Sequence, residues 1–243
     1  MLLMLPSMIH LHRNAWRRSL ALAILLAGCG GGSSGTQTAG TTTTSPAAVS
    51  TTTDTAAGGA QAVEPAAECN ALTTGTTEGP YYVTGTAELA DGNLNYDNLS
   101  GDVIRIVGHV YGGVDTTMPL ADAVIDIWQA DDAGSYWPQA NGPASNYSAN
   151  QLSLRGHVKS DASGYFEFTT IYPGEYEGRA RHIHIRATSA GGEQDVITQL
   201  IMSKDGDQTP ASQDIIAHSL PSCNTMKLVS VDGVDTAVFD FHI

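Results

Sequence analysis

From about residue 100 to the C-terminus, apolar and polar positions alternate in short runs. Val103–Tyr111 reads VIRIVGHVY and Ala123–Ala130 reads AVIDIWQA. Leu154–Lys159, Tyr165–Ile171, His182–Thr188, Val196–Ser203, Met226–Val231 and Ala237–Ile243 follow the same rule. Successive side chains of a strand point to opposite faces, so a period of two rich in β-branched and aromatic residues predicts half-buried β-strands. Turn formers separate the runs: Gly112-Gly113, Asp161-Ala162-Ser163-Gly164, Pro173-Gly174, Ala190-Gly191-Gly192 and Asp232-Gly233. Beyond the N-terminal leader no stretch carries a convincing 3.6-residue apolar period, and there is no internal repeat. The pattern predicts an all-β domain, a β-sandwich of about seven to eight strands.

The N-terminus has a different grammar. Arg13, Arg17 and Arg18 precede a short apolar run, Leu20–Leu26. The run falls short of the roughly 20 residues that span a bilayer but suits the apolar stretch of an export signal. It ends in Leu26-Ala27-Gly28-Cys29, which resembles a bacterial lipobox. That resemblance implies cleavage before Cys29 and lipidation of its thiol. Gly30 rather than an aspartate follows, so an outer-membrane lipoprotein is expected, facing the periplasm or the cell surface. Gly, Ser, Thr and Ala dominate the stretch behind Cys29 to residue 66. Such a composition buries too little apolar surface to offset its ordering entropy, and a tether is expected. At 5–6 Å × √n it would reach on the order of 30 Å. The expected organisation is a leader over 1–28, a lipidated Cys29 with its tether over 29–66, and one folded domain over 67–243.

Charge narrows the function classes. The formal net charge is −14, and all the basic residues of the leader lie outside the folded domain, which is therefore more acidic still. Such a surface repels phosphate backbones and anionic headgroups, which argues against nucleic-acid binding and leaves the lipid anchor as the only membrane contact. Cys69 and Cys223 remain in the domain. In an oxidising compartment they are candidates for a disulfide; the other reading is two buried thiols. No Cys-x-x-Cys spacing or adjacent His makes them metal ligands.

The candidate chemistry lies in Gly174-Glu175-Tyr176-Glu177-Gly178-Arg179-Ala180-Arg181-His182-Ile183-His184. On a strand, His182 and His184 share a face and present two imidazoles side by side, the start of an iron, copper or zinc site. Cupin-like metal sites use the same local geometry, so the pair alone does not fix the chemistry. Tyr176 lies six residues before His182, and Tyr136 follows the strand that ends near Ala130. Phenolate is a hard anionic donor, and a trivalent cation favours that charged form. His10 and His12 fall in the leader, and His109, His157, His218 and His242 read as structural or surface histidines.

Several separated motifs, in order, resemble the intradiol ring-cleavage dioxygenases (the catechol 1,2- and protocatechuate 3,4-dioxygenases). They are Thr77-Glu78-Gly79-Pro80-Tyr81-Tyr82; Asp126-Ile127-Trp128-Gln129-Ala130 with Gly134-Ser135-Tyr136; Leu154-Arg155-Gly156; Gly164 to Thr170; Tyr172-Pro173-Gly174-Glu175-Tyr176; Arg179 with His182-Ile183-His184; and Ile197-Thr198-Gln199-Leu200. The resemblance implies a transthyretin-like (prealbumin-like) sandwich with loop excursions that form an iron site. It implies one Fe(3+) per domain held by Tyr136, Tyr176, His182 and His184, with Tyr176 the tyrosine released when substrate binds. Arg179 would stand beside the substrate ring with Gln199 near it, and Tyr81 and Tyr82 would approach the pocket. The implied reaction cleaves a catechol-type aromatic with O2 to a cis,cis-muconate-type diacid. Two features depart from the family. Arg179-Ala180-Arg181 replaces the frequent Arg-Pro-Ala, so Arg181 is a second cation near the site. No helical segment, the region through which catechol 1,2-dioxygenases dimerise, is read before Thr77, and the oligomeric state stays open. The competing readings are a His-His-carboxylate metal oxygenase and a non-catalytic β-sandwich lipoprotein that acts as a binding module.

Overall fold

The computed structural model describes Cys69 and residues 71–243. The expected leader, Cys29 and the tether lie outside the described residues. Eleven strands run in the order β1 Val83–Thr84, β2 Val103–Tyr111, β3 Val124–Gln129, β4 Gly142–Pro143, β5 Arg155–Lys159, β6 Tyr165–Ile171, β7 His182–Thr188, β8 Asp195–Ile201, β9 Val229–Val231, β10 Val234–Val238 and β11 Phe241–His242. The only helices among the described residues are single 3-10 turns. The domain is all-β, and the excess over the expected strand count comes from short pieces. β1 and β4 are two residues each and pair only with one another. The C-terminal runs divide into three strands.

Two sheets form the sandwich. One is four-stranded and antiparallel, in the order β5-β3-β7-β8. In the other, β6 pairs antiparallel with one edge of β2, while β10 and then β11 pair parallel with its other edge. Between β10 and β11 the chain bows inward at Phe239 and crosses Gly108, where a Cβ would overlap the Phe239 carbonyl. That close approach explains the glycine in the middle of β2.

Alternation decides what each face does. Ile104, Ile106, Phe166, Phe168, Ile125, Ile127, Ile183, Ile185 and Leu200 are all buried in one core between the sheets. Because the side-chain period is two, the neighbours of these residues on the four-stranded sheet must face away from that core. Trp128, His184 and Gln199 are register partners across β3, β7 and β8 on that outer face, yet none is more than 2% exposed. What buries them is loop: the N-terminal segment around residues 77–82 and the connections β3–β4, β6–β7 and β8–β9.

Candidate active site

His182 and His184 occupy the first and third positions of β7, beside Trp128 of β3, whose indole stacks on His184 with centroids 4.9 Å apart. His182 donates from Nδ1 to the Ala180 carbonyl at 2.6 Å, which leaves the Nε2 lone pair pointing at the cluster. His184 Nε2 lies 3.2 Å from His182 Nε2. The Nδ1 of His184 is buried without a hydrogen-bond partner. That ring is held by contact instead, between Trp128 and the backbone of Gly79, where a Cβ would press on Cε1 at 3.3 Å.

Two loops bring the tyrosines. After β3 the chain turns tightly on Asp131, whose Oδ1 accepts the N–H groups of Ala133 and Ser135 and whose Oδ2 accepts the Trp137 indole N–H. The loop before β7 crosses it closely, and Gly174 N–H donates to the Asp131 carbonyl at 2.8 Å. A Cβ on Gly134 (φ +84°) would overlap Glu175 O, and one on Gly174 would overlap Gly134 N. Only glycine at both points lets the loops meet. Their crossing sets Tyr136 Oη 3.5 Å and Tyr176 Oη 3.3 Å from His182 Nε2. The two phenol rings are perpendicular, 5.3 Å apart. Tyr81 stacks on Tyr136 at 4.5 Å.

Four donor atoms thus converge in a buried space. Burial pushes the Tyr136 phenol well above its ordinary pKa, with Tyr176 adding to the effect, and burial also raises Tyr176. Burial drives His182 down to about 4 and His184 well below its ordinary value. With no cation bound, the site is a neutral set of two phenols and two imidazoles. A cation at their centre would favour phenolate and keep both imidazoles neutral. Donors about 2.1 Å from a common ion sit roughly 3.0–3.4 Å from one another, close to the separations seen. Two hard phenolic oxygens with two imidazole nitrogens fit Fe(III). Among the described residues no group of three His, Cys, Asp or Glu is placed to hold a metal.

Arg179 and Gln199 join the cluster. Arg179 Nη2 donates to Gln199 Oε1 at 2.7 Å, and Gln199 is fully buried. The charge on Arg179 adds to burial in lowering both histidines. Arg181 does not share this space. Its Nε binds Asp207 Oδ1 at 2.6 Å, its Nη1 donates to the Pro173 carbonyl, and its guanidinium lies 5.6 Å from the Tyr172 ring. The Arg-Ala-Arg departure therefore places a brace behind the loop rather than a second cation facing a substrate. Of the two N-terminal tyrosines only Tyr81 reaches the cluster; Tyr82 lies under Trp128 with its hydroxyl on Asp126 Oδ2 at 2.7 Å. Cys69 and Cys223 are paired as a disulfide with Cα atoms 5.8 Å apart.

Two further residues surround the site that the sequence had not singled out for a role. Arg155 is 2% exposed. It donates to the carbonyls of Tyr81, Trp137 and Pro138, and its guanidinium lies 5.7 Å from the Tyr136 ring. It clamps the Tyr81 and Tyr136 loops to β5. It stood in the Leu-Arg-Gly motif, but an arginine on a strand gives no sign that it will be buried. Asp214, in the β8–β9 connection, binds Arg179 Nε at 2.9 Å. It lies 35 residues from that arginine in a segment without periodicity, so no sequence signal marked it.

Comparisons with known proteins address the family of the chain. A family model described as dioxygenase matches residues 77–238. Catechol 1,2-dioxygenase 2 of Acinetobacter lwoffii is 30% identical over 156 residues, 56% of this chain and 52% of that one. Chlorocatechol 1,2-dioxygenase of Rhodococcus opacus is 29% identical over 193 residues, 70% of this chain and 71% of that one. Among solved structures, the dioxygenase domain of a dioxygenase–carbohydrate-binding fusion from Streptomyces sp. SirexAA-E superposes with a TM-score of 0.56 at 28% identity, covering 71% of this chain and 97% of that domain. The chain spans about half the length of the first curated relatives it matches.

Proposed function

The chain belongs to the intradiol ring-cleavage dioxygenase family, and from that premise we propose that it binds one Fe(III) through Tyr136, Tyr176, His182 and His184 and cleaves a catechol-type ring with O2 to a cis,cis-muconate-type diacid. The observation that carries the reading is the convergence of two phenol oxygens and two imidazole nitrogens, 3.2–3.5 Å apart around His182 Nε2, with a guanidinium beside them. When bound, Fe(III) supplies a Lewis acid that a catechol can chelate as its dianion, leaving the ring electron-rich towards O2.

The chain's own residues divide the remaining work. Tyr136 is held in place: it is 3% exposed, with Tyr81 on one side and Arg155 near its ring. Tyr176 precedes a turn in which Glu177 and Gly178 both have positive φ, and it is less buried. It is therefore the tyrosine that can leave the cluster and take a catechol proton at its Oη. The guanidinium of Arg179 would stabilise negative charge on the bound ring; Gln199 fixes its direction. The leader and Cys29 support an exported, lipid-anchored protein, a localisation we propose from sequence alone.

The test is the visible spectrum of the domain from about residue 66 onward, with and without catechol in the absence of O2. A broad tyrosinate-to-iron band that moves to longer wavelength with catechol is expected. A protein that stays colourless after ferric reconstitution would remove the four-ligand reading and leave the binding module in front.

A further inference from the structure

Asp214 is a carboxylate with no solvent contact: the residue is 1% exposed and its side chain 0%. Its Oδ2 accepts from Arg179 Nε at 2.9 Å and from the Ala180 N–H at 2.7 Å. Its Oδ1 accepts from the N–H groups of Ile216 at 2.8 Å and Ala217 at 3.1 Å. The backbone bonds on Oδ1 are ordinary local capping, which an asparagine or serine oxygen would serve equally well. A full negative charge buried at this depth is costly unless it is paired, and the group that calls for the charge is the guanidinium of Arg179.

The partners of that pair extend to both halves of the site. Arg179 Nη2 runs on to Gln199, so one end of the guanidinium is held by charge and the other by a buried amide. Ala180, whose N–H binds Asp214, offers its carbonyl to His182 Nδ1. The β8–β9 connection that carries Asp214 is itself pinned. Glu175, next to Tyr176, accepts the N–H groups of Gln208 and Thr209; Arg181 binds Asp207; and Asn224 binds Thr198 and Gln199.

We propose that Asp214 is a positioning residue: it aims the Arg179 guanidinium at the substrate site. The proposal rests on the reading that Arg179 faces the bound ring. Asp214 touches neither substrate nor metal and acts through Arg179. A charge-assisted bond on Nε fixes the plane of the guanidinium, and a rotated Arg179 would bind the ring without stabilising the charge that develops on it.

The experiment is a double-mutant cycle on the full domain with Asp214→Asn, Arg179→Ala and both together. It reads iron content, the visible band, kcat and KM for catechol, and the side-chain Nε–H resonance of Arg179 in the metal-free protein. Asp214→Asn is expected to keep iron and the band and to lower kcat/KM by about tenfold or more, mainly in kcat. The double variant is expected to lose no more than about twofold beyond Arg179→Ala, because residues that act through one another are non-additive. The slowly exchanging Arg179 Nε–H of the wild type is expected to vanish in Asp214→Asn. Wild-type turnover in Asp214→Asn, or losses that multiply in the double variant, would overturn the proposal. If Asp214→Asn fails to fold, Asp214→Glu, which keeps the charge but moves it by one methylene, replaces it in the same cycle, and the same two results would overturn the proposal. A wild-type protein with no turnover at all would sink the proposed function, while the Arg179 resonance would still report whether Asp214 holds the guanidinium.

Discussion

At the scale of the residue, the two tyrosines are chemically alike but their surroundings set them apart. Tyr136 lies against Tyr81 and near Arg155, whose bonds to the Trp137 and Pro138 carbonyls hold the backbone just after it. Tyr176 hangs on a turn with two positive-φ residues. Replacing each with phenylalanine should therefore give different phenotypes. Tyr136→Phe removes an anionic donor that nothing nearby can replace, so weak iron retention and loss of most visible colour are expected. Tyr176→Phe should keep iron, with a weaker band, and lower kcat by about 10- to 100-fold through loss of a proton acceptor. Iron analysis and steady-state kinetics on the two variants decide it; equal losses of iron would mean the two rings do not differ in role. The histidine pair was legible in the sequence because strand alternation fixes which residues share a face, and the two tyrosines were linked to it by the resemblance of several ordered motifs to a known family. Arg155 and Asp214 were not legible. Their importance comes from burial, and no local pattern announces that a charged residue will be buried by loops from distant parts of the chain.

At the scale of the element, the site is made by loops laid on the outer face of a sheet, and the sequence foretold the sheet better than the loops. The runs at Val103, Ala123, Tyr165 and His182 all became strands with the expected inward faces. The run Ala237–Ile243 became two strands, because Phe239 drops into the gap over Gly108 and breaks the ladder. What Arg181 does near the site is left open by the sequence for a related reason. Alternation puts it on the strand lead-in next to His182, but the register cannot say that Asp207 will arrive from the β8–β9 connection to take it. The crossing of the β3–β4 and β6–β7 loops is the most demanding contact here. Gly134→Ala would add both a strained φ and a Cβ against the Glu175 carbonyl. A destabilisation of at least about 2 kcal/mol is expected, together with displacement of Tyr136 or Tyr176. An alanine at Gly178, where a Cβ would meet nothing within 4 Å, should cost only the φ strain, about 1–2 kcal/mol. Urea unfolding of both variants, with the visible band of the iron-loaded forms, would show whether the crossing or the positive φ is what the site depends on.

At the scale of the whole molecule, the acidic domain is closed by a covalent link between its first described residue and a late loop. Cys69 and Cys223 are separated by 154 residues, a long loop whose closure restricts the unfolded chain strongly. Such links are rare in a reducing cytosol. This link's place in the fold also bears on the site, since Cys223 lies in the same β8–β9 connection as Asp214 and stands beside Asn224. The four donors, however, come from β7 and from the two crossing loops, none of which the disulfide touches. Stability and chemistry should therefore separate when the bond is removed. In Cys69→Ser/Cys223→Ser we expect a loss of roughly 2–5 kcal/mol, or on the order of 5–15 °C in Tm, with iron content and the visible band retained. Turnover should fall only modestly, because Asn224 still holds the connection to Thr198 and Gln199. An unchanged Tm would mean that the link constrains nothing the fold does not already constrain. A loss of colour would mean that the late connection supports the donors directly, so that the loop crossing at Gly134 and Gly174 is not sufficient to hold them.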